Sequence, residues 1–385
     1  MGTISPVFER PARTAALIAT EDEAIAVART VAGLFATPET ATAAPENEAT
    51  LLELFSRCGL LGVSVPTEHG GIDVSNTVLA DVCSILAQQS SKLGAIVAAH
   101  LVGIEQVRSH GTESQRETLF SAALAGARLA RAHPPGETDG EQDSLSIATD
   151  GLGWHLDGEC YCTPAASEAD WLLVPAHNDA NKAITLLLPS RLKGLRYPAN
   201  VYQAASARMP QMERVVFTDL PAIVDVLLPR AVNPAKPDVP DALELLLEAA
   251  NLLGAGRRRF QRALHAAGDD GASVAGSEAH APEIGALSVR LAAAEATIEN
   301  AGRALDAAQI GSAERHRVTA YLAATAACVT AAEAASDARR LLDHLDSGKP
   351  ASHDRVDCPT HIAALVQDAG LRHLASLRDT PPDGS

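Results

Sequence analysis

Apolar residues along this chain recur at three- and four-residue steps, then at two, then again at three and four. From about Glu21 to Ala130 the pattern is helical, with Ala24, Val27, Val31 and Leu34 on one face. From about Leu129 to Leu228 the runs are short. Trp154 to Thr163 alternates in part, and Trp171 to Pro175, Ile184 to Leu188 and Met212 to Phe217 are strand-length apolar segments divided by Gly, Pro, Asn and Asp. From Asp241 onward Ile284, Leu287, Leu291, Ala294, Ile298, Ala301 and Leu305 form a heptad-like stripe, and Thr319 to Leu345 is a second long Ala-rich helix. No single period can serve both a helix and a strand, so the order is helices, strands, helices: an α+β chain with a small antiparallel barrel or sandwich in the middle. The expected division is a flexible tail over 1–20, an N-terminal helical domain over 21–128, a β-domain over 129–232, a four-helix bundle over 233–379 and a disordered tail over 380–385.

Several boundaries can be read more finely. Thr50 with Glu53 reads as an N-cap after a Pro/Thr/Ala-rich loop from Thr37 to Pro45. Val63 to Pro66 reads as a short extended piece before a turn at His69, Gly70 and Gly71, and helices follow over about Ser75–Gln89 and Leu93–Ser109. Asn233 to Pro240 reads as a linker, and Gly268 to Pro282 as a loop. Aromatics make up only 3% of the residues against 46% apolar, much of it Ala, which favours close-packed helices. The formal net charge of −17 disfavours a nucleic-acid partner. The six cysteines form no CxxC pair, so no zinc or thioredoxin-type motif is written here, and scattered thiols fit a reducing cytoplasm. The opening stretch has no long apolar run of the kind a secretory signal needs, and later apolar runs are broken by charge, so a soluble cytoplasmic protein is expected.

Two strings carry a resemblance. Leu60-Leu-Gly-Val-Ser-Val-Pro-Thr-Glu-His-Gly-Gly71 resembles the LGxxVPxxxGG segment of the acyl-CoA dehydrogenase superfamily. Gly153-Trp-His-Leu-Asp-Gly-Glu-Cys-Tyr-Cys-Thr-Pro-Ala-Ala-Ser-Glu-Ala-Asp-Trp171 is similar to that superfamily's paired-strand string ending in ADW, in the branch of dibenzothiophene- and sulfone-type monooxygenases. The helix over Glu283 to Asp306 resembles the same branch. The resemblance implies an N-terminal helical domain, a β-domain and a C-terminal bundle. It also implies a flavin site, a dimer or a homotetramer built as a dimer of dimers, and a partner flavin reductase that delivers reduced FMN.

The resemblance implies roles for particular residues. His100 falls where the branch places a histidine beside flavin and substrate. Thr163 falls where a hydroxyl reaches the isoalloxazine, although Pro164 replaces the usual Gly and removes a backbone donor. Arg131 and Pro134 stand where the family offers Asn and Ser to the flavin, and Trp171 would pack under it. Thr360 and His361 match a C-terminal Thr-His pair whose preceding Trp-Arg is missing. The catalytic candidates are therefore His100 and His361, and the cofactor-binding candidates are Thr163, Arg131 and Trp171. Cys160 and Cys162 read as packing residues on one strand face.

The substrate implied is a small organosulfur or other heteroatom-bearing compound. An acyl-CoA dehydrogenase would instead use FAD and needs a carboxylate base. No Glu follows Glu333, and Glu244 is the one candidate, at a position roughly matching the isovaleryl-type base. Arg257-Arg-Arg-Phe260 only echoes the FAD-diphosphate motif, which favours FMN. A third possibility is a flavin-free relative acting as partner subunit or ligand-binding protein.

Overall fold

A computed structural model describes residues 13–35, 45–132, 145–150, 153–178, 183–198, 201–202, 212–222, 224–228, 237–269, 280–311, 313–347 and 360–378. The chain divides by contacts into two compact units, residues 1–74 with 90–236 and residues 75–89 with 237–385. Of the expected tails, residues 1–12 and 380–385 lie outside the described residues, as do Pro134 and most of the expected loops.

The first unit begins with helices α1 (Glu21–Leu34) and α2 (Pro45–Arg57). Helix α2 starts at Pro45, where a proline without an N–H suits the first turn. Thr50 therefore lies inside the helix and is not its cap. Residues 63–65 form a turn after a single 3-10 turn at Leu60–Gly62, and are not extended. The segment from Arg13 is docked, contrary to a flexible tail. Arg13 pairs with Glu53 (2.9 Å) and Asp170 (2.6 Å), and the Ala16 N–H donates to Arg57 O.

Helix α4 (Ser91–His110) is buried along most of its length, and α5 (Glu113–Leu124) follows it behind a capping box made by Thr112 and Gln115. Between α2 and α4 the chain forms α3 (Asn76–Gln89), which belongs to the other unit.

The β-domain has strands β1 (Leu129–Arg131), β2 (Ser146–Asp150), β3 (Gly153–Cys162), β4 (Trp171–Asn178), β5 (Ala183–Pro189), β6 (Leu195–Arg196), β7 (Val201–Tyr202), β8 (Met212–Ala222) and β9 (Leu227–Leu228). They form one sheet in the order β6-β8-β3-β2-β4-β5-β9, with β1 on β4 and β7 on β8. The sheet is mixed where an antiparallel one was expected: β1 and β2 both run parallel to β4.

The nearly continuous apolar runs of β4 and β5 follow from burial on both faces. Leu172, Val174, Leu186 and Leu188 pack into one core with Leu156, Val215 and Phe217. Leu173 and Leu187, one residue out of phase, pack with Ile104, Val107, Leu119 and Phe120 of α4 and α5.

In the second unit α3 packs on α6 (Val239–Asp269) and α7 (Ala281–Ile310), and α8 (Glu314–Ser347) packs on the same two. Helix α9 (Thr360–Arg378) lies on α8. Most of the predicted stripe is the buried face of α7: Leu287, Leu291, Ala294, Ile298, Ala301 and Leu305 are buried, while Ile284 at its start is partly exposed. Four helices pack together, but α3 supplies one of them. The expected bundle over 233–379 thus takes in a segment from the N-terminal third. Close approach sets the packing. A Cβ on Gly254 of α6 would stand 2.3 Å from Ser84 O of α3. Helix α8 is long and apolar enough to cross a membrane by length and composition, which the sequence reading did not expect. Half of its apolar window is buried within the structure.

Candidate functional site

Strand β1 is three residues long, and four of the five predicted site residues converge on it. Its N–H groups alternate in direction. Ala132, just past its end, donates to Leu173 O of β4 at 2.9 Å. The Leu129 and Arg131 N–H groups point to the opposite edge, and each is met by a side chain. His100 Nδ1 accepts from Leu129 N at 3.1 Å, and Thr163 Oγ1 accepts from Arg131 N at 3.2 Å. Thr163 returns its own N–H to Arg131 O at 2.8 Å, so β1 is stitched to the end of β3. Trp171 opens β4 opposite Leu129 and packs against the helix-facing core.

His100 lies on the face of α4 that meets this strand, and Gly103 lies one turn on. A Cβ on Gly103 would stand 2.0 Å from the Leu129 side chain, so the helix lies close enough to β1 that any Cβ there would force that side chain to turn. The His100 ring is 1% exposed. Because Nδ1 accepts, Nε2 carries the hydrogen and donates it to Leu61 O at 2.8 Å. Burial pushes its pKa down to about 4, against a smaller raising effect of the Leu61 bond. The ring therefore stays neutral, with both nitrogens committed to backbone. With both nitrogens held by backbone, His100 fixes where β1 sits.

Beyond Thr163 the chain turns sharply. Ala165 has φ 60°, left-handed and costly for a residue with a Cβ. The Glu213 carboxylate of β8 holds that turn, accepting from Ala165 N at 2.8 Å and Ser167 N at 2.9 Å. Asp170 accepts from Arg128 N at 2.8 Å and closes the turn's far side, and the Arg128 guanidinium donates to Glu168 O. Glu213 and Ala165 were not singled out from sequence. A lone Glu at the start of a strand carries no signal, and the conformation of Ala165 is invisible in its identity.

Thr163 is buried, whereas Arg131 is partly exposed. His361 sits in the first turn of α9, in the second unit, and its side chain lies outside what is described. Glu244, on α6, is half-buried. Cys160 and Cys162 are both buried with their sulfurs 3.8 Å apart. A groove of about 700 Å³ opens elsewhere on the sheet, beside Glu159, Tyr197, Arg214 and Val216, and contains none of the predicted residues.

Comparison with known proteins fits this architecture. Residues 20–127 match the family "Acyl-CoA dehydrogenase, N-terminal domain". The very long-chain specific acyl-CoA dehydrogenase of Macaca fascicularis is 30% identical over 103 residues, which is 26% of this chain and 16% of that protein. The chain therefore matches less than a fifth of that relative's length. Among solved structures, dibenzothiophene monooxygenase (TdsC) from Paenibacillus sp. A11-2 superposes with a TM-score of 0.74 at 17% identity, over 95% of this chain and 98% of that one. Methanesulfinate monooxygenase MsuC from Pseudomonas fluorescens superposes with a TM-score of 0.72 at 17% identity, over 96% and 99%. At such identities the likeness establishes the fold and leaves the reaction to local chemistry.

Proposed function

We propose that this chain, with its acyl-CoA dehydrogenase fold, is a flavin-dependent monooxygenase that receives reduced FMN from a separate reductase. Its substrate is a small organosulfur or other heteroatom-bearing compound. It works in the cytoplasm as a homo-oligomer. The observation that carries this reading is the stitch between Thr163 and Arg131. Since Thr163 Oγ1 already accepts a hydrogen bond from the Arg131 backbone N–H, its hydroxyl hydrogen can be donated to another acceptor at this strand end. A TdsC structure with FMN bound has the same fold, with a TM-score of 0.72.

A hydroxyl hydrogen and a guanidinium suit the electron-rich edge or phosphate of a flavin. Pro164 offers no N–H, and the Thr163 N–H is spent on Arg131 O, so this strand end has few backbone donors to give. That set fits a flavin held loosely enough to be exchanged with a partner. When bound, reduced flavin supplies the two electrons with which O2 gives one oxygen atom to the substrate and one to water. In this reading Thr163 orients the ring system by donating its hydroxyl hydrogen, and Arg131 supplies positive charge. Trp171 packs beneath, and His100 is a positioning residue that fixes β1. His361 retains only the candidacy that its Thr-His pair confers.

The test is an anaerobic titration with photoreduced FMN. Saturable binding is expected, tighter than for oxidised FMN, and weakened on the order of 10-fold in Thr163→Val, the worth of one good hydrogen bond. Admitting O2 with an organic sulfide should then yield the sulfoxide. If neither reduced FMN nor reduced FAD binds at high micromolar concentration, the chain is a flavin-free relative. Bleaching of bound FAD by an acyl-CoA, lost in Glu244→Gln, would make it a dehydrogenase, in line with the sequence relative.

A further inference from the structure

At the open end of the α7–α8 hairpin stand His280, Glu283 and His344. His280 is the residue just ahead of α7, Glu283 lies in its first turn, and His344 lies in the last turn of α8. One ligand atom from each lies within 4.8 Å of the other two. The two imidazoles meet edge to face with centroids 5.4 Å apart, and His280 Nδ1 is 3.9 Å from Glu283 Oε2. We infer that this cluster is a binding site for one Zn2+ ion, which clips the ends of the two helices together.

The chemistry of the set supports a borderline divalent ion. Two imidazole nitrogens and one carboxylate oxygen are ligands that Zn2+ accepts, with a water completing four-coordination. Around a tetrahedral Zn2+, ligand atoms stand about 3.3 Å apart. The present spacing therefore has to contract by a rotamer adjustment. Glu283, whose side chain is 52% exposed, is free of packing that would oppose this. The His280 ring makes no capping bond to α7 although it occupies the capping position, so ligation would not cost the helix a cap. The helix ends do not decide the matter. The N-terminus of α7 repels a cation and the C-terminus of α8 attracts one, and the two effects oppose each other at the same point. The carboxylate of Glu283 adds the charge that favours binding, and the −17 net charge of the chain raises the local cation concentration. The other end of the hairpin is closed by the short link from Ile310 to Glu314. A clip at the open end would restrain both.

The experiment uses the full chain, stripped of metal by chelator, and isothermal titration with Zn2+ alone. One equivalent is expected to bind, with a rise in Tm. His280→Gln and His344→Gln should each weaken binding at least ~10-fold, as losing a ligand costs no less than losing the partner that orients one. Glu283→Gln should weaken it less. These side chains are at least partly exposed, and far-UV circular dichroism of each variant checks the fold. The inference is overturned if no one-equivalent phase appears. It is equally overturned if the phase persists unchanged in the folded His280→Gln/His344→Gln double variant, which would place the ion on other histidines or on the thiols.

Discussion

Helix α4 meets strand β1 through a histidine and a glycine, whereas helix α6 lies against the middle of α3 at Gly254 and donates a side-chain hydrogen bond, from Arg258 to Gln89 O, only at the last residue of α3. The difference has a simple origin. A helix satisfies its own interior backbone, so two helices can be brought together by removing side-chain bulk. A three-residue strand paired along one edge to β4 leaves the N–H groups of Leu129 and Arg131, on its other edge, to find partners elsewhere. The first unit supplies them with side chains, and that makes its β1 joint specific but vulnerable to single polar losses. The second unit is vulnerable to added volume.

The comparison can be broken most directly at His100. Replacing it with Leu should destabilise the chain by about 4 kcal/mol, because Leu129 N and Leu61 O are both left buried without a partner. Chemical denaturation that shows a loss under ~1 kcal/mol would mean the joint does not depend on this ring. Next in size is the volume test. Gly254→Val should cost on the order of 3 kcal/mol, since its neighbour at 2.3 Å is backbone and cannot rotate away. Gly103→Ala should cost within about 1 kcal/mol despite a nearer contact at 2.0 Å. There the neighbour is a Leu129 methyl that can turn, and alanine gains about 1 kcal/mol of helix propensity. Equal losses at the two glycines would erase the distinction.

A pH titration of stability sharpens the same point. The pKa of His100 is lowered in the folded state to about 4, so the unfolded chain binds the proton first as pH falls. The stability contributed by the neutral ring is complete above about pH 6.5 and is lost progressively down to about pH 4, by about 3 kcal/mol in all. A His100→Asn variant should lack that slope. The smallest effect is expected at Thr163→Val, about 1 kcal/mol by thermal denaturation, with Thr163→Ser near wild type. A Thr163→Val loss as large as that of His100→Leu would mean the two side chains do not divide the edge of β1 as described.

Much of this was legible in the sequence, for reasons that differ by element. The stripe of α7 could be read because a helix that buries one face writes it at fixed intervals. The strands β3, β4, β5 and β8 could be read from period and turn residues. Helix α5 was missed although its capping box, Thr112 to Gln115, is a written signal. The convergence of His100, Arg131, Thr163 and Trp171 came only through the resemblance, since nothing in their spacing brings them to one strand. The parallel pairings of β4 depend on where the chain returns, which local pattern does not encode. The cluster of His280, Glu283 and His344 joins two helices and has no spacing motif at all. The membership of α3 in the second unit could not be read either, because its apolar face does not say which helices cover it.

That membership bears on how the protein is made. Helix α3 leaves the ribosome with an apolar face, Leu79, Val82, Cys83 and Leu86, that is buried in the finished protein, and the helix packs on α6 and α7. Its partners α6 and α7 are not complete until on the order of ten seconds of further synthesis have passed. During that interval the nascent chain carries an unshielded apolar helix, a natural target for a chaperone. A fragment beginning at residue 237 would have the complementary defect, a bundle with one wall absent. Any exchange of this bundle between relatives has to move residues 75–89 with it.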